Sequence, residues 1–231
     1  MGFLLLEGGA EFGGHMSEPD RIGLDLAGGL HVAVRILPTA AAADNNHVRA
    51  GNNGKRWFSS LGATDVEVTY VIDTVSANDQ SIANELSSAK LFYLLGGFPA
   101  HIARTLADSK AWHAMLETYR NGAVIAGSSA GAMVLCEHYY DPYEGKLLGG
   151  LNLIPNTCVI PHHGAGTHRW ANELFRQLPG VTLVGIAEQT GIVDDGNMSA
   201  WTVSGRGEVT VYRGESVQRH GRGETFSLSK P

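Results

Sequence analysis

Short, almost uninterrupted apolar runs recur along the first two thirds of this 231-residue chain, and they restrict its fold more than any other feature. A strand that is buried on both faces is apolar throughout, whereas a half-buried strand alternates with polar residues. We therefore predict a mostly parallel sheet covered by helices on both faces. The runs are Phe3–Gly9, His31–Thr39, Val66–Ile72, Leu91–Gly97, Ala123–Gly127 and Thr157–Ile160.

The stretches between these runs predict helices, and the last fifty residues predict hairpins. A polar cap opens a helix over Asn78–Ser88, and residues 100–122 predict one or two more. After about Thr182, short runs separated by Gly-containing turns favour antiparallel strands. The Asn- and Gly-rich segment Asn45–Lys55 is interpreted as a surface loop, and Gly8–Gly14 ("GGAEFGG") as a turn after the first strand. We interpret residues 1–231 as a single α/β domain.

Composition narrows the class of partner. The formal net charge of −6 argues against nucleic acid as the main partner. The N-terminal apolar run Phe3–Leu6 is too short for a signal peptide or a membrane span, so no membrane partner is expected. Two cysteines, Cys136 and Cys158, do not form a disulfide framework and favour the reducing cytoplasm.

The stretch Gly127-Ser128-Ser129-Ala130-Gly131 matches the G-x-S-x-G pattern between a predicted strand and a predicted helix. A serine on such a sharp turn has a strained backbone, and its neighbours two residues away must be small. We therefore predict that Ser129 is a nucleophile and that the backbone N–H of Ala130 stabilises an oxyanion. Gly97, at the end of the preceding strand unit, is predicted to supply the second N–H donor.

A nucleophilic serine needs a base, and "VIPHHGAG" is the favoured source among the ten histidines. His162 and His163 follow Pro161 at the end of a predicted strand, at the same edge as Ser129. We predict His162 as the base. No metal or cofactor is expected, because the spacing of these histidines with His168 matches no zinc pattern.

The orienting carboxylate is predicted to be Glu188, which follows another apolar strand. Asp141, Glu144, Asp194 and Asp195 remain alternatives. A different order of residues, Ser129, Asp194 and His220, would give an α/β-hydrolase-type esterase. A non-catalytic ligand-binding protein is a third possibility.

Several motifs together resemble the dipeptidase E and cyanophycinase family of serine peptidases. They occur in the family's order over nearly the whole chain: "ILPTAAA", "LGATDVEV", "FYLLGGFP", "GSSAGAM", "PHH" and "GIAEQTGI". The resemblance implies a three-layer α/β/α sandwich like that of class I glutamine amidotransferases, and the sequence pattern adds C-terminal antiparallel β-hairpins. It also implies Ser129, His162 and Glu188 as the catalytic residues, with Asp141 or Glu144 as the acid if the dipeptidase branch is followed.

The predicted function is therefore a serine peptidase that hydrolyses short aspartyl peptides, α- or β-linked, through an acyl-enzyme on Ser129. His163, His168 and Arg169 are predicted to contact the substrate carboxylate. Arg169 is the only arginine where cyanophycinases have several, and Phe98 replaces a polar residue, so the substrate pocket is expected to differ from theirs. The expected partner is a small peptide, and a homodimer remains open.

Overall fold

The fold was analysed in a computed structural model that describes residues 1–164 and 168–228, without the side chains of His168, Arg169, Trp170, Asn172 and Phe175. The chain begins with a buried strand followed by a helix, and this order recurs along its first half. The strands are β1 (Phe3–Glu7), β2 (Ala33–Leu37), β3 (Asp65–Val68), β4 (Leu91–Leu94), β5 (Val124–Ser128), β6 (Cys136–Asp141), β7 (Lys146–Gly149), β8 (Ile154–Ile160), β9 (Thr182–Ile186), β10 (Thr190–Asp194), β11 (Trp201–Gly205), β12 (Val209–Arg213), β13 (Ser216–His220) and β14 (Thr225–Phe226). The helices are α1 (Ser17–Ala27), α2 (His47–Ser60), α3 (Thr74–Ala77), α4 (Gln80–Leu86), α5 (Pro99–Leu106), α6 (Lys110–Arg120), α7 (Ala130–Leu135) and α8 (His168–Gln177), with 3-10 turns at Gly14–Met16 and Thr39–Ala41.

The larger sheet has eight strands in the order β14-β11-β10-β1-β5-β4-β2-β3. Its five strands from β1 to β3 are mutually parallel, and β10, β11 and β14 add antiparallel pairs at one side. The predicted mostly parallel α/β fold is confirmed. The carboxyl ends of β1, β5 and β4 lie side by side, which is where ligands bind in open parallel sheets.

A second sheet of six strands, in the order β13-β12-β9-β8-β6-β7, was not anticipated from the sequence. Helix α7 is only six residues long and returns the chain directly into β6, which starts this sheet. His138 therefore lies on β6 rather than on a helix. The chain passes back to the larger sheet between β9 and β10, so the turn 187–189 joins the two sheets.

Burial on both faces of the larger sheet follows from the alternation of side chains along each strand. In β1, Leu4 and Leu6 join one core with helices α4 to α7, whereas Leu5 joins the other core with Leu24 of α1 and Phe58 of α2. Two helical layers thus enclose the sheet. None of the helices in the described part of the chain is long and apolar enough to cross a membrane.

The interpretation of Asn45–Lys55 as a surface loop was wrong, because most of this segment forms α2. Its two glycines face the sheet. A Cβ on Gly51 would lie 2.6 Å from Val68 Cγ1, and one on Gly54 would lie 2.8 Å from Ile36 Cγ2. The glycines therefore allow close packing of helix and sheet rather than interrupting the helix.

Candidate active site

Ser129 lies on a sharp turn between β5 and α7, with φ +50° and ψ −114°. Such a conformation is costly for a residue with a side chain and persists only where the surroundings enforce it. The flanking glycines show why: a Cβ on Gly127 would lie 2.6 Å from the Gly131 carbonyl carbon, and one on Gly131 would lie 2.1 Å from Leu94 O. The Ser129 N–H donates to Glu7 O at 3.0 Å. The turn therefore presents the Ser129 hydroxyl at the carboxyl edge of the larger sheet.

His162 and Glu188 lie in line with this hydroxyl. His162 follows β8 and also has a positive φ of +50°. Ser129 Oγ is 2.9 Å from His162 Nε2, and His162 Nδ1 is 3.1 Å from Glu188 Oε1. The two side chains are 48% and 60% exposed, so the chain of hydrogen bonds is open to solvent. The site combines one residue from each sheet with one from the turn between them.

Two backbone N–H groups near Ser129 are available as donors. Ala130 is the first residue of α7, so its N–H has no acceptor within the helix. Gly97 has a positive φ of +139° and lines the same cavity as Ser129 and Ala130. Among the residues that the structure describes, no acceptor is paired with the Gly97 N–H.

Two cavities meet at Gly97. The first, of about 290 Å³, contains Ser129 and His162 and is otherwise largely apolar. Its apolar lining includes Pro99, Met133, Tyr140, Tyr143, Ile160 and Leu174.

The second cavity also reaches Gly97 and has a more polar lining than the first. Its polar lining consists of Glu11, Asp44, Asn46, Arg49 and Asn53. Phe98 lines this cavity and stacks on Tyr143 of the first, with ring centroids 4.4 Å apart. The aromatic pair therefore forms the ridge between the two cavities.

Two fully buried carboxyl groups lie beneath the turn that carries Ser129. Glu7 pairs with Ser128 in the register of β1 and β5, and its Oε2 accepts a hydrogen bond from Tyr93 Oη at 2.5 Å. Asp20 accepts a hydrogen bond from Trp57 Nε1 at 2.7 Å. Burial, and next the charge of Asp20, raise the pKa of Glu7 well above its usual range, and burial raises the pKa of Asp20 to about 7. Burial therefore favours the protonated form of both groups.

Of the three residues predicted to contact a substrate carboxylate, His163 is the one whose side chain the structure describes. His163 is buried, and its Nε2 lies 2.9 Å from Tyr212 Oη within the second sheet's core. This geometry gives no support to a substrate contact, since His162 and His163 take opposite directions from the strand end. The side chains of His168 and Arg169 lie outside the described residues.

The alternative acids have other partners. Asp141 accepts hydrogen bonds from the N–H groups of Ala100, Tyr143 and Glu144, and Glu144 forms an ion pair with Arg104. These contacts explain why neither carboxylate faces His162.

The alternative esterase residues are also dispersed. Asp194 accepts a hydrogen bond from Leu4 N near the start of β1, away from the edge that carries Ser129. His220 stacks on Phe226 at 4.7 Å. Asp195 accepts hydrogen bonds from Asn197 and Ser199 in its own turn. The structure therefore does not assemble the esterase alternative.

One carboxylate beside Ser129 was missed in the sequence. Glu11, in the segment interpreted only as a turn, accepts a hydrogen bond from Gly96 N at 2.8 Å. Burial raises its pKa, while the Gly96 N–H, the Ser128 hydroxyl and His162 act in the opposite direction. The residues are 85 apart in sequence, so no local pattern signals the contact. The described residues contain no group of three His, Cys, Asp or Glu side chains suited to a metal ion.

A two-sided α/β fold with a serine on a strand-to-helix turn, followed by a histidine and a carboxylate in line, is the arrangement found in serine hydrolases. Comparisons with known proteins identify the family. The model of peptidase family S51 matches residues 4–200, and the chain belongs to that family. It is accordingly a serine-type peptidase.

Individual relatives agree with this assignment. A cyanophycinase from Geminocystis herdmanii is 26% identical over 95% of this chain and 84% of its own length. A peptidase from an acI-B1 Actinobacterium has 28% identity and a TM-score of 0.86, covering 98% of this chain and 97% of its own. A peptidase E protein from Listeria monocytogenes shares the fold, with 18% identity, a TM-score of 0.59 and coverage of 95% of this chain and 98% of its own.

Proposed function

We propose that this peptidase hydrolyses short peptides through an acyl-enzyme on Ser129, with His162 as general base and acid and Glu188 as the residue that orients it. The observation that carries the proposal is the alignment of Ser129 Oγ, His162 Nε2, His162 Nδ1 and Glu188 Oε1, with distances of 2.9 and 3.1 Å. Hydrogen-bonded contact of nucleophile, base and orienting group is the geometric signature of this chemistry.

The proposed reaction has two stages. Ser129 Oγ attacks the peptide carbonyl carbon while its proton passes to His162 Nε2, and the Gly97 and Ala130 N–H groups hold the resulting oxyanion. His162 gives the proton to the leaving amine as the C–N bond breaks. Water then attacks the ester carbonyl and loses its proton to His162. The bond between the acyl carbon and Ser129 Oγ breaks, the acid product leaves, and His162 returns the proton to Ser129 Oγ. Glu188 accepts the Nδ1–H bond throughout, which keeps Nε2 free to act as the base.

For the substrate we propose an aspartyl peptide with an apolar neighbouring residue. The apolar cavity beside Ser129 favours an apolar side chain, because a charged group there would lose its hydration without a partner. The second cavity at Gly97 contains Arg49, which is exposed and forms no ion pair among the described residues. A guanidinium binds a carboxylate in a two-pronged geometry, so Arg49 replaces His163 as our candidate for the aspartyl side chain.

The test is a panel of dipeptides in which one property changes at a time. Asp-Leu, Asn-Leu, Leu-Leu, Asp-Arg and β-linked Asp-Leu would be incubated with the wild-type protein, Ser129→Ala and His162→Ala. We expect Asp-Leu to be cleaved in preference to Asn-Leu and Asp-Arg, and both variants to be inactive. Equal cleavage of Asp-Leu and Asn-Leu would overturn the aspartyl preference, and full activity of Ser129→Ala would overturn the mechanism.

A further inference from the structure

The segment from Glu7 to Glu11 contacts every part of the candidate active site. Three successive carbonyl groups accept backbone N–H bonds: Glu7 O from Ser129 at 3.0 Å, Gly8 O from His162 at 2.7 Å and Gly9 O from Gln189 at 3.3 Å. Gln189 directly follows Glu188. One short segment therefore fixes the backbones that carry the serine, the histidine and the carboxylate.

The glycines in this segment are required by close approach to the site. A Cβ on Gly9 would lie 2.3 Å from His162 Cε1, and one on Gly8 would lie 2.1 Å from Ala187 O. Gly9 also has a positive φ of +128°. The backbone thus passes directly against the His162 ring, which explains the paired glycines that we interpreted as an ordinary turn.

Glu11 extends this set of contacts to the loop that carries Gly97. Its Oε1 accepts the Gly96 N–H at 2.8 Å. A Cβ on Gly96 would lie 2.5 Å from the same oxygen and 3.1 Å from Ser129 Cβ, so these three groups meet with no spare volume. On its other side the loop is held by Ala40, whose carbonyl accepts the Phe98 N–H at 2.9 Å.

The hydrogen bonds at Gly96 and Phe98 flank Gly97, whose own N–H is left without such a bond in the described part of the chain. Gly96 donates to Glu11 and Phe98 donates to Ala40, whereas Gly97 has no acceptor among the described residues. The bond from Gly96 N to Glu11 fixes the peptide immediately before the one that carries the Gly97 N–H, and so restricts the conformation of this turn. We propose that Glu11 is a positioning residue that holds the Gly96–Gly97 turn so that the Gly97 N–H faces the oxyanion. This inference rests on the proposed mechanism, and it deepens that mechanism by assigning a role to a carboxylate outside the serine, histidine and Glu188 set.

The test compares two substitutions of nearly equal size. Glu11→Gln keeps an oxygen that accepts the Gly96 N–H, whereas Glu11→Met keeps the side-chain length but has no such acceptor. Misplacing one oxyanion donor lowers kcat more than it raises KM, because the contact is made chiefly in the transition state. We expect Glu11→Met to lower kcat roughly 10–100-fold with KM within about 2-fold, and Glu11→Gln to recover most of the loss.

A second measurement separates positioning from general loss of structure. A peptide aldehyde forms a tetrahedral adduct with the serine, whereas a product peptide binds without one. Glu11→Met is expected to weaken inhibition by the aldehyde by about the same factor as kcat and to leave product inhibition unchanged. Thermal unfolding of each variant would establish that the compared proteins are folded.

The outcomes distinguish this inference from the proposed function. If Ser129→Ala is inactive but Glu11→Met has wild-type kcat, the mechanism stands and the role of Glu11 is wrong. If Glu11→Gln, folded, is as impaired as Glu11→Met, the hydrogen bond to Gly96 is not what Glu11 supplies, and the inference is also overturned. Activity in Ser129→Ala would instead remove the proposed mechanism itself.

Discussion

Ser129 and His162 share an unusual positive backbone φ of +50°, and Ser129 Oγ lies 2.9 Å from His162 Nε2. Each backbone N–H is held by a carbonyl of the same short segment, Glu7 for Ser129 and Gly8 for His162. The same short segment therefore holds both strained backbones in place. Strain concentrated at a site in this way is typical of a preorganised active centre.

The exposed pair of His162 and Glu188 leads to a prediction with a matched control. Glu188→Gln should lower kcat/KM roughly 10–1000-fold, because the neutral amide no longer stabilises the charged imidazole that forms during catalysis. Among the described residues, His220 and Glu224 form another His–Glu pair, at 3.9 Å and away from Ser129. Glu224→Gln should leave peptide hydrolysis unchanged. Steady-state kinetics on Asp-Leu measure both variants. Equal effects of the two substitutions would contradict the role of Glu188.

The glycines of the nucleophile turn are expected to be intolerant of even one methyl group. Gly131→Ala would bring Cβ within 2.1 Å of Leu94 O, which forces α7 away from β4. We expect a loss of roughly 1–3 kcal/mol in the free energy of unfolding, the usual cost of overpacking, together with loss of activity. Gly149→Ala is the control, since a Cβ there would meet nothing within 4 Å. Equal midpoints of urea unfolding for the two variants would refute this packing argument.

The buried carboxyl groups predict a pH dependence of stability. Burial raises the pKa of Asp20 from 3.8 to about 7, so the folded protein binds a proton that the unfolded chain releases. The stability that this group contributes is present below about pH 4 and is lost as the pH rises toward 7. One pKa unit corresponds to about 1.4 kcal/mol, which bounds the loss at about 4 kcal/mol.

Asp20→Asn removes this titration and keeps an oxygen for Trp57 Nε1. The free energy of unfolding should therefore fall less between pH 5 and pH 8 in Asp20→Asn than in the wild type. Some fall should remain, because burial also raises the pKa of Glu7. Urea unfolding at the two pH values measures the difference, and parallel behaviour of the two proteins would count against a protonated Asp20.

The proposed role of Arg49 predicts a change in specificity. Arg49→Gln should raise KM for Asp-Leu roughly 10-fold, the order expected for a charged hydrogen bond, and should reduce the preference over Asn-Leu. Arg120→Gln is a suitable control, because Arg120 is exposed at the end of α6. Steady-state kinetics on both peptides measure this change. An unchanged KM for Asp-Leu in Arg49→Gln would exclude the Arg49 contact.

Much of the fold and the candidate site could be predicted from local sequence patterns. Buried parallel strands are recognisable because they are apolar throughout, and the turn at Ser129 is recognisable because only small neighbours fit there. His162 and Glu188 could be nominated because each follows a strand end, although their strands, β8 and β9, lie in the second sheet rather than beside β5.

Other features depend on contacts that the sequence does not display. In the sequence the glycines of α2 look like loop glycines, because their close packing against the sheet involves residues elsewhere in the chain. The opposite directions of His162 and His163 are set by Gly8 and Tyr212, which are distant in sequence. Glu11 was overlooked for the same reason, since its partner Gly96 belongs to another strand unit.

The most direct test of the central claim is mass spectrometry of the protein after reaction with a fluorophosphonate, which labels an activated serine. We expect one adduct on Ser129 in the wild type, no adduct in Ser129→Ala, and much slower labelling in His162→Ala because the base is missing. An adduct on another serine, or an unchanged labelling rate in His162→Ala, would contradict the assignment of Ser129 and His162 as the nucleophile and its base.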